Sequence, residues 1–166
     1  QVAGFFDPKT KQLTVLDDDG ELDVASKITL AHEADHAIGD QHWDLQGMKD
    51  AIPLLEGDRQ AALQALIEGD ATLLMTLWSA KHAASDLMGL DESALPGSQS
   101  LDGLPQIIQR QLLFPYLDGL SFLMTAWGPG GWDGVNALWD APPVSTEQIM
   151  HPEKYPDEGP IEVVLP

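Results

Sequence analysis

The chain has no cysteine, only 8 basic residues against 27 acidic ones, and no uncharged apolar run long enough to cross a bilayer. Without cysteine, a disulfide framework, an iron–sulfur cluster and a Cys-ligated zinc finger are excluded. The net charge of −19 repels phosphate groups and anionic lipid headgroups. We therefore expect no nucleic-acid partner and no membrane contact from this segment. The sequence does not indicate the oligomeric state.

Hydrophobic residues make up 43% of the 166 residues, which is too many for a disordered acidic segment. A chain of this length normally forms one domain with a real core. There is no internal repeat and no linker long enough to separate two domains. We therefore predict one folded domain over residues 1–166.

The local patterns predict a mainly helical fold with a small N-terminal β-hairpin. Residues 4–16 contain two short apolar segments around turn residues, and an acidic turn follows at 17–20. Helical patterns cover four segments, namely residues 25–46, 58–88, 105–127 and 132–140. We expect Ser26 and Ser145 to be N-caps, Pro115 to interrupt the third helix and the glycines at 128–131 to end it. A loop at 89–104 and an edge strand at 161–165 complete the prediction.

The most informative motif is His-Glu-Ala-Asp-His at residues 32–36, within a predicted helix. His32 and His36 are four residues apart, so a helix places both imidazoles on one face, one turn apart. Two imidazoles at this spacing can hold one zinc ion, and Glu33 can then reach a water molecule at the open position. This HExxH pattern predicts a zinc site with Glu33 as its general base.

The third zinc ligand has two candidates in the sequence. Glu68 lies beside an apolar helix face, where a carboxylate needs a cation, and Gly69 next to it permits close helix approach. His42 completes a longer pattern, HExxHxxGxxH, in which Gly39 lets the chain turn; Met150 would then supply the methionine turn beneath the site. Both candidates remain open at this point.

Three linked stretches resemble a family of bacterial zinc metallopeptidases of the HExxH type, in the zincin superfamily. They are residues 31–45, 66–72 and 142–155, and residues 3–7 are similar to a strand that precedes the motif in that family. The resemblance implies a gluzincin arrangement, with His32, His36 and Glu68 as ligands of Zn²⁺ and Glu33 as general base. It also implies a zincin-like α+β fold in which the HExxH helix packs on the long helix bearing Glu68.

The resemblance further implies hydrolysis of a peptide or protein substrate. Members of the family are often longer at the N-terminus and exported, so we expect this chain to be the catalytic part of a longer, extracytoplasmic protein. An inactive zincin-like binding domain and a metzincin-like peptidase that uses His42 are the alternatives.

Peptide hydrolysis also needs a donor for the developing oxyanion. We predict His151 in this role, followed by Tyr155 and Tyr116. A zinc-bound histidine usually gives its free N–H to a carboxylate or carbonyl oxygen. The candidate acceptors are three aspartates, Asp40, Asp44 and Asp70, and the alternative for each is a surface or capping role.

Overall fold

The computed structural model describes residues 4–16, 22–84, 101 and 103–161. The elements in this part of the chain are strands β1 (Gly4–Asp7) and β2 (Gln12–Val15), helices α1 (Val24–Trp43), α2 (Leu45–Asp50), α3 (Gly57–His82), α4 (Gln106–Asp140) and α5 (Thr146–Met150), and a 3-10 turn at Pro152–Lys154. The prediction of a mainly helical chain with an N-terminal hairpin is confirmed. The predicted acidic turn, most of the 89–104 loop and nearly all of the tail strand lie outside the described residues.

The two strands form an antiparallel hairpin in which Gly4 pairs with Val15 and Asp7 pairs with Gln12. The Asp7 carboxylate closes the turn, because it accepts hydrogen bonds from the Lys9 backbone N–H and the Thr10 hydroxyl, both at 2.9 Å. These donors, the Lys9 N–H first, lower the pKa of Asp7. The turn chemistry read from the sequence is therefore present.

The N-cap of helix α1 lies three residues before the predicted one. Asp23 is the N-cap, and its carboxylate accepts a 2.7 Å hydrogen bond from the backbone N–H of Ser26. The prediction of Ser26 as N-cap is wrong, because Asp23 is an equally good capping residue and lies at the start of the helical run. The helix ends at Trp43, before Asp44, which adopts a left-handed conformation with φ of 48°.

The chain forms two compact units, and the boundary between their residue ranges falls within α2, α3 and α4. The first unit comprises Gln1–Gly47 and Ala71–Gln111. In it, both strands of the hairpin contact α1. The second unit comprises Met48–Asp70 and Leu112–Pro166.

The core of the second unit contains a close approach between α3 and α4. A Cβ added to Gly69 would lie 2.6 Å from the carbonyl carbon of Gly119, and one added to Gly119 would meet the carbonyl oxygen of Ala65. Real Cβ atoms do not approach this closely, so both positions need glycine. The sequence-based expectation that Gly69 permits close helix approach is confirmed. Phe122 and Leu123, one turn further along α4, are fully buried.

Helix α4 runs through Pro115 without a break, so the predicted interruption there is wrong. A proline removes one helical hydrogen bond and favours a kink, but the buried residues that follow it keep the helix packed. The break predicted at 128–131 is found as a kink at Gly131, whose φ of 56° is non-helical. Glycine adopts this conformation at little cost.

The last described segment is anchored by one buried amide. Ser145 is the N-cap of α5, as predicted, and its hydroxyl accepts from the Gln148 N–H. The Gln148 side chain, 1% exposed, accepts from the Val144 N–H at 2.8 Å. It also donates to the carbonyl oxygens of Glu158 and Pro156.

Among the described helices, none is sufficiently long and apolar to span a bilayer.

Candidate metal centre

Helix α1 brings the two histidines of the HExxH motif together. The Nε2 atoms of His32 and His36 are 3.1 Å apart, and the ring centroids are 4.7 Å apart at an interplanar angle of 89°. Two nitrogens bound at ~2.05 Å to one tetrahedral zinc ion would be about 3.3 Å apart. The imidazole nitrogens thus have nearly the separation that shared ligation requires.

Glu68 of α3 completes a group of three ligands. One ligand atom from each of His32, His36 and Glu68 lies within 4.8 Å of the others, and all three residues are half-buried. The Glu68 Oε1 atom also accepts a 2.7 Å hydrogen bond from the Gln64 side-chain amide, one turn earlier on α3. Two imidazoles and a carboxylate are a donor set that suits zinc when cysteine is absent.

The carboxylate of Glu33 contacts the hairpin. Its Oε2 atom accepts a 2.8 Å hydrogen bond from the backbone N–H of Phe6 in β1. Its Oε1 atom has no hydrogen-bond partner among the described residues. Sequence reasoning missed this contact, because a backbone donor 27 residues away leaves no signal in side-chain spacing.

Two of the three predicted acceptor aspartates form ion pairs with Lys11 of the hairpin. The buried Asp40 carboxylate pairs with Lys11 Nζ at 2.8 Å and accepts from the Leu45 N–H, and Asp44 pairs with the same ammonium at 3.0 Å. Hydrogen bonds to Asp40 and Asp44 raise the pKa of Lys11, and the Lys11 ammonium lowers the pKa of Asp44. The carboxylates of Asp40 and Asp44 thus bind the Lys11 ammonium and backbone N–H groups, which agrees with the alternative of a surface or capping role.

Asp70, the third predicted acceptor, is buried in the second unit. Its Oδ2 atom accepts a 2.7 Å hydrogen bond from the indole N–H of Trp139. Asp70 follows Glu68 by two residues on α3, and Trp139 lies near the end of α4. Both side chains are buried, so their hydrogen bond joins the two helices. This contact helps to hold the helix segment that carries the candidate ligand.

The other candidates lie outside the group of three ligands. His42 is exposed and its ring contacts Trp43, and Met150 is 48% exposed. His151 is exposed, with its Nδ1 atom 3.5 Å from a carboxylate oxygen of Glu153. Its catalytic role stays a prediction.

The two candidate tyrosines lie in different segments of the second unit. The Tyr155 hydroxyl donates to the Ala141 carbonyl oxygen, and its ring lies edge-on to Phe122. Burial raises the pKa of Tyr155. Tyr116, on α4, is 41% exposed. The engaged hydroxyl of Tyr155 gives this residue a packing role in the second unit.

Comparison of the chain with protein-family models, curated proteins and solved structures found no match.

Proposed function

We propose that this chain is a zinc-dependent metallopeptidase of the gluzincin type with a zincin-like fold. The observation that carries the proposal is the group formed by His32, His36 and Glu68, whose ligand atoms lie within 4.8 Å of one another. Three protein ligands leave one coordination position for water or substrate, which is the arrangement of catalytic rather than structural zinc sites.

The exposure of the group supports a catalytic site. All three residues are half-buried, so solvent and a substrate can reach their ligand atoms. His42, the alternative third ligand, is exposed and its ring contacts Trp43 instead. These observations favour Glu68 over His42 as the third ligand.

Bound zinc would lower the pKa of a coordinated water toward ~7 and polarise the scissile carbonyl. In this proposal Glu33 accepts the water proton and later passes it to the leaving amine. The Phe6 N–H holds Oε2 of Glu33, which fixes the carboxylate and leaves Oε1 available for the proton. His151 would donate to the developing oxyanion, and the substrate is a peptide or protein.

A second candidate function is a metal-binding domain without peptidase activity. The hydrogen bond from Phe6 to Glu33 favours it, because a carboxylate that anchors the hairpin has a structural reason to be present. The two functions share the ligands and differ in whether Glu33 takes part in chemistry.

The test compares zinc-loaded wild type with Glu33→Gln on a mixed peptide library, with cleavage followed by mass spectrometry. Glutamine can still accept from the Phe6 N–H but cannot take a proton, so we expect full zinc content and a loss of at least ~100-fold in kcat/KM. Glu56→Gln, at an exposed glutamate paired with Arg59, is the matched control and should retain activity. Full zinc content without cleavage by wild type would favour the inactive domain.

A further inference from the structure

A small cleft lies beside the helix segment that carries Glu68. Its volume is about 240 Å³, and five residues of the second unit line it, namely Lys49, Ile52, Gln60, Leu63 and Gln64. Gln60, Gln64 and Glu68 are spaced by four residues, so they follow one face of α3. Gln64 both lines the cleft and donates to Glu68, so the cleft lies one hydrogen-bonded residue from this ligand of the proposed metal site.

The lining combines an apolar floor with a single charge. Ile52 and Leu63 are 8% and 3% exposed, so their side chains form a firm apolar surface. Among the described residues that line the cleft, Lys49 alone is charged, and it has no ion pair in the described part of the chain.

The two glutamines each keep one amide N–H for a ligand. The Gln60 amide nitrogen donates to the Pro53 carbonyl oxygen, and the Gln64 amide nitrogen donates to Glu68. An amide nitrogen carries two N–H groups, so each glutamine has a second N–H beyond these bonds. These N–H groups and the Lys49 ammonium are all donors, and donors suit an anionic or carbonyl group.

The size of the cleft fits one side chain. Its volume of about 240 Å³ is below the ~300 Å³ at which pockets for whole small molecules begin. A residue with a short methylene stem and a carboxylate matches both the apolar floor and the donors.

We propose that this cleft is a substrate subsite that binds a carboxylate-bearing residue of the peptide. Lys49 pairs with the carboxylate, while Ile52 and Leu63 contact the methylene groups. The proposal rests on the peptidase function proposed above. It also gives the chain a way to retain acidic substrates that its net charge of −19 repels at long range.

The experiment measures binding, so it does not depend on cleavage. Zinc-loaded Glu33→Gln protein is titrated at fixed salt with acetyl-Ala-Ala-Glu-Ala-Ala-amide and with its Gln counterpart, and affinities are taken from calorimetry or NMR shifts. An ion pair at a partly exposed lysine predicts about 5-fold tighter binding of the Glu peptide. Lys49→Met should abolish this preference, and Lys49→Glu should reverse it. Lys81→Met, at an exposed lysine in the last turn of α3, should leave it unchanged.

A second pair of peptides, acetyl-penta-alanine as free acid and as amide, distinguishes a side-chain carboxylate from a C-terminal one. A preference that depends on Lys49 in either pair supports the subsite. Equal binding within both pairs, or a preference that survives Lys49→Met in a folded variant, overturns it. Failure of the proposed function has a different signature, because wild type would then show the Lys49-dependent preference without cleaving either peptide series.

Discussion

The backbone N–H of Phe6 donates a 2.8 Å hydrogen bond to the carboxylate of Glu33, and so joins strand β1 to the middle of the HExxH helix. A backbone donor cannot change rotamer, so it fixes one carboxylate oxygen in direction. The second oxygen has no partner among the described residues. The hairpin thus positions the carboxylate of the residue proposed as general base.

Lys11 is the second anchor of the hairpin on α1. Lys11→Met removes the pairs with Asp40 and Asp44 and leaves the buried Asp40 carboxylate without its cation. We expect a lower Tm and faster amide hydrogen exchange in β1, including at Phe6. Lys9→Met, on the same turn but without an ion pair in the described structure, is the control. Unchanged exchange in β1 would show that Lys11 does not hold the hairpin.

Gly119 allows the close approach of α3 and α4. Gly119→Ala places a Cβ against the Ala65 carbonyl oxygen, so the helices must separate, and we expect a loss of about 3 kcal/mol in the free energy of unfolding. Gly128→Ala, in the same helix with open space around its Cβ position, should be neutral or slightly stabilising. Urea unfolding of both variants checks this; similar stabilities would contradict the close packing.

Gln148 is a buried amide with three backbone partners. Gln148→Leu keeps the size but leaves the Val144 N–H and the Glu158 carbonyl without their partner, so we expect a loss of about 3 kcal/mol. Gln41→Leu, at an exposed helical glutamine, is the control and should change stability little. Thermal unfolding gives the measurement, and a Tm equal to that of the control would contradict the anchoring role.

The carboxylate of Asp23, which caps α1, should make the free energy of unfolding depend on pH. Hydrogen bonds from Ser26, its side chain first, lower the pKa of Asp23 in the folded state. A lowered folded-state pKa gives stability that is present above the unfolded value of about 3.9 and lost as the pH falls below it. Wild type should therefore exceed Asp23→Ala by about 1 kcal/mol at pH 7, and the difference should shrink below about pH 4. Urea unfolding of wild type and Asp23→Ala at pH 7 and below about pH 4 tests this. An equal difference in the free energy of unfolding at both pH values would contradict it.

The sequence predicted those features that depend on local spacing. The hairpin follows from the turn residues after Asp7, the glycine-dependent approach from Gly69, and the pairing of His32 with His36 from their four-residue separation. The choice of Glu68 as third ligand required the family resemblance as well. A carboxylate beside an apolar helix face indicates that a cation is needed, but it does not identify that cation. The structural cluster agrees with that choice of residues.

Features that depend on contacts between distant residues were missed. One local feature was missed as well, because two good capping residues lie three positions apart and the N-cap of α1 is Asp23 rather than Ser26. Asp40 and Asp44 looked suitable as acceptors for histidine, but Lys11, about 30 residues earlier, takes both. The spacing of residues along the chain does not predict such a contact, because it depends on where the hairpin packs on α1.

The zinc content of purified, folded protein tests the proposed site most directly, measured by elemental analysis on wild type, Glu68→Gln and His42→Ala. We expect one zinc ion per chain in wild type and His42→Ala, and a marked loss in Glu68→Gln. Loss of zinc in His42→Ala alone, or wild type that binds no zinc, would contradict the His32–His36–Glu68 site.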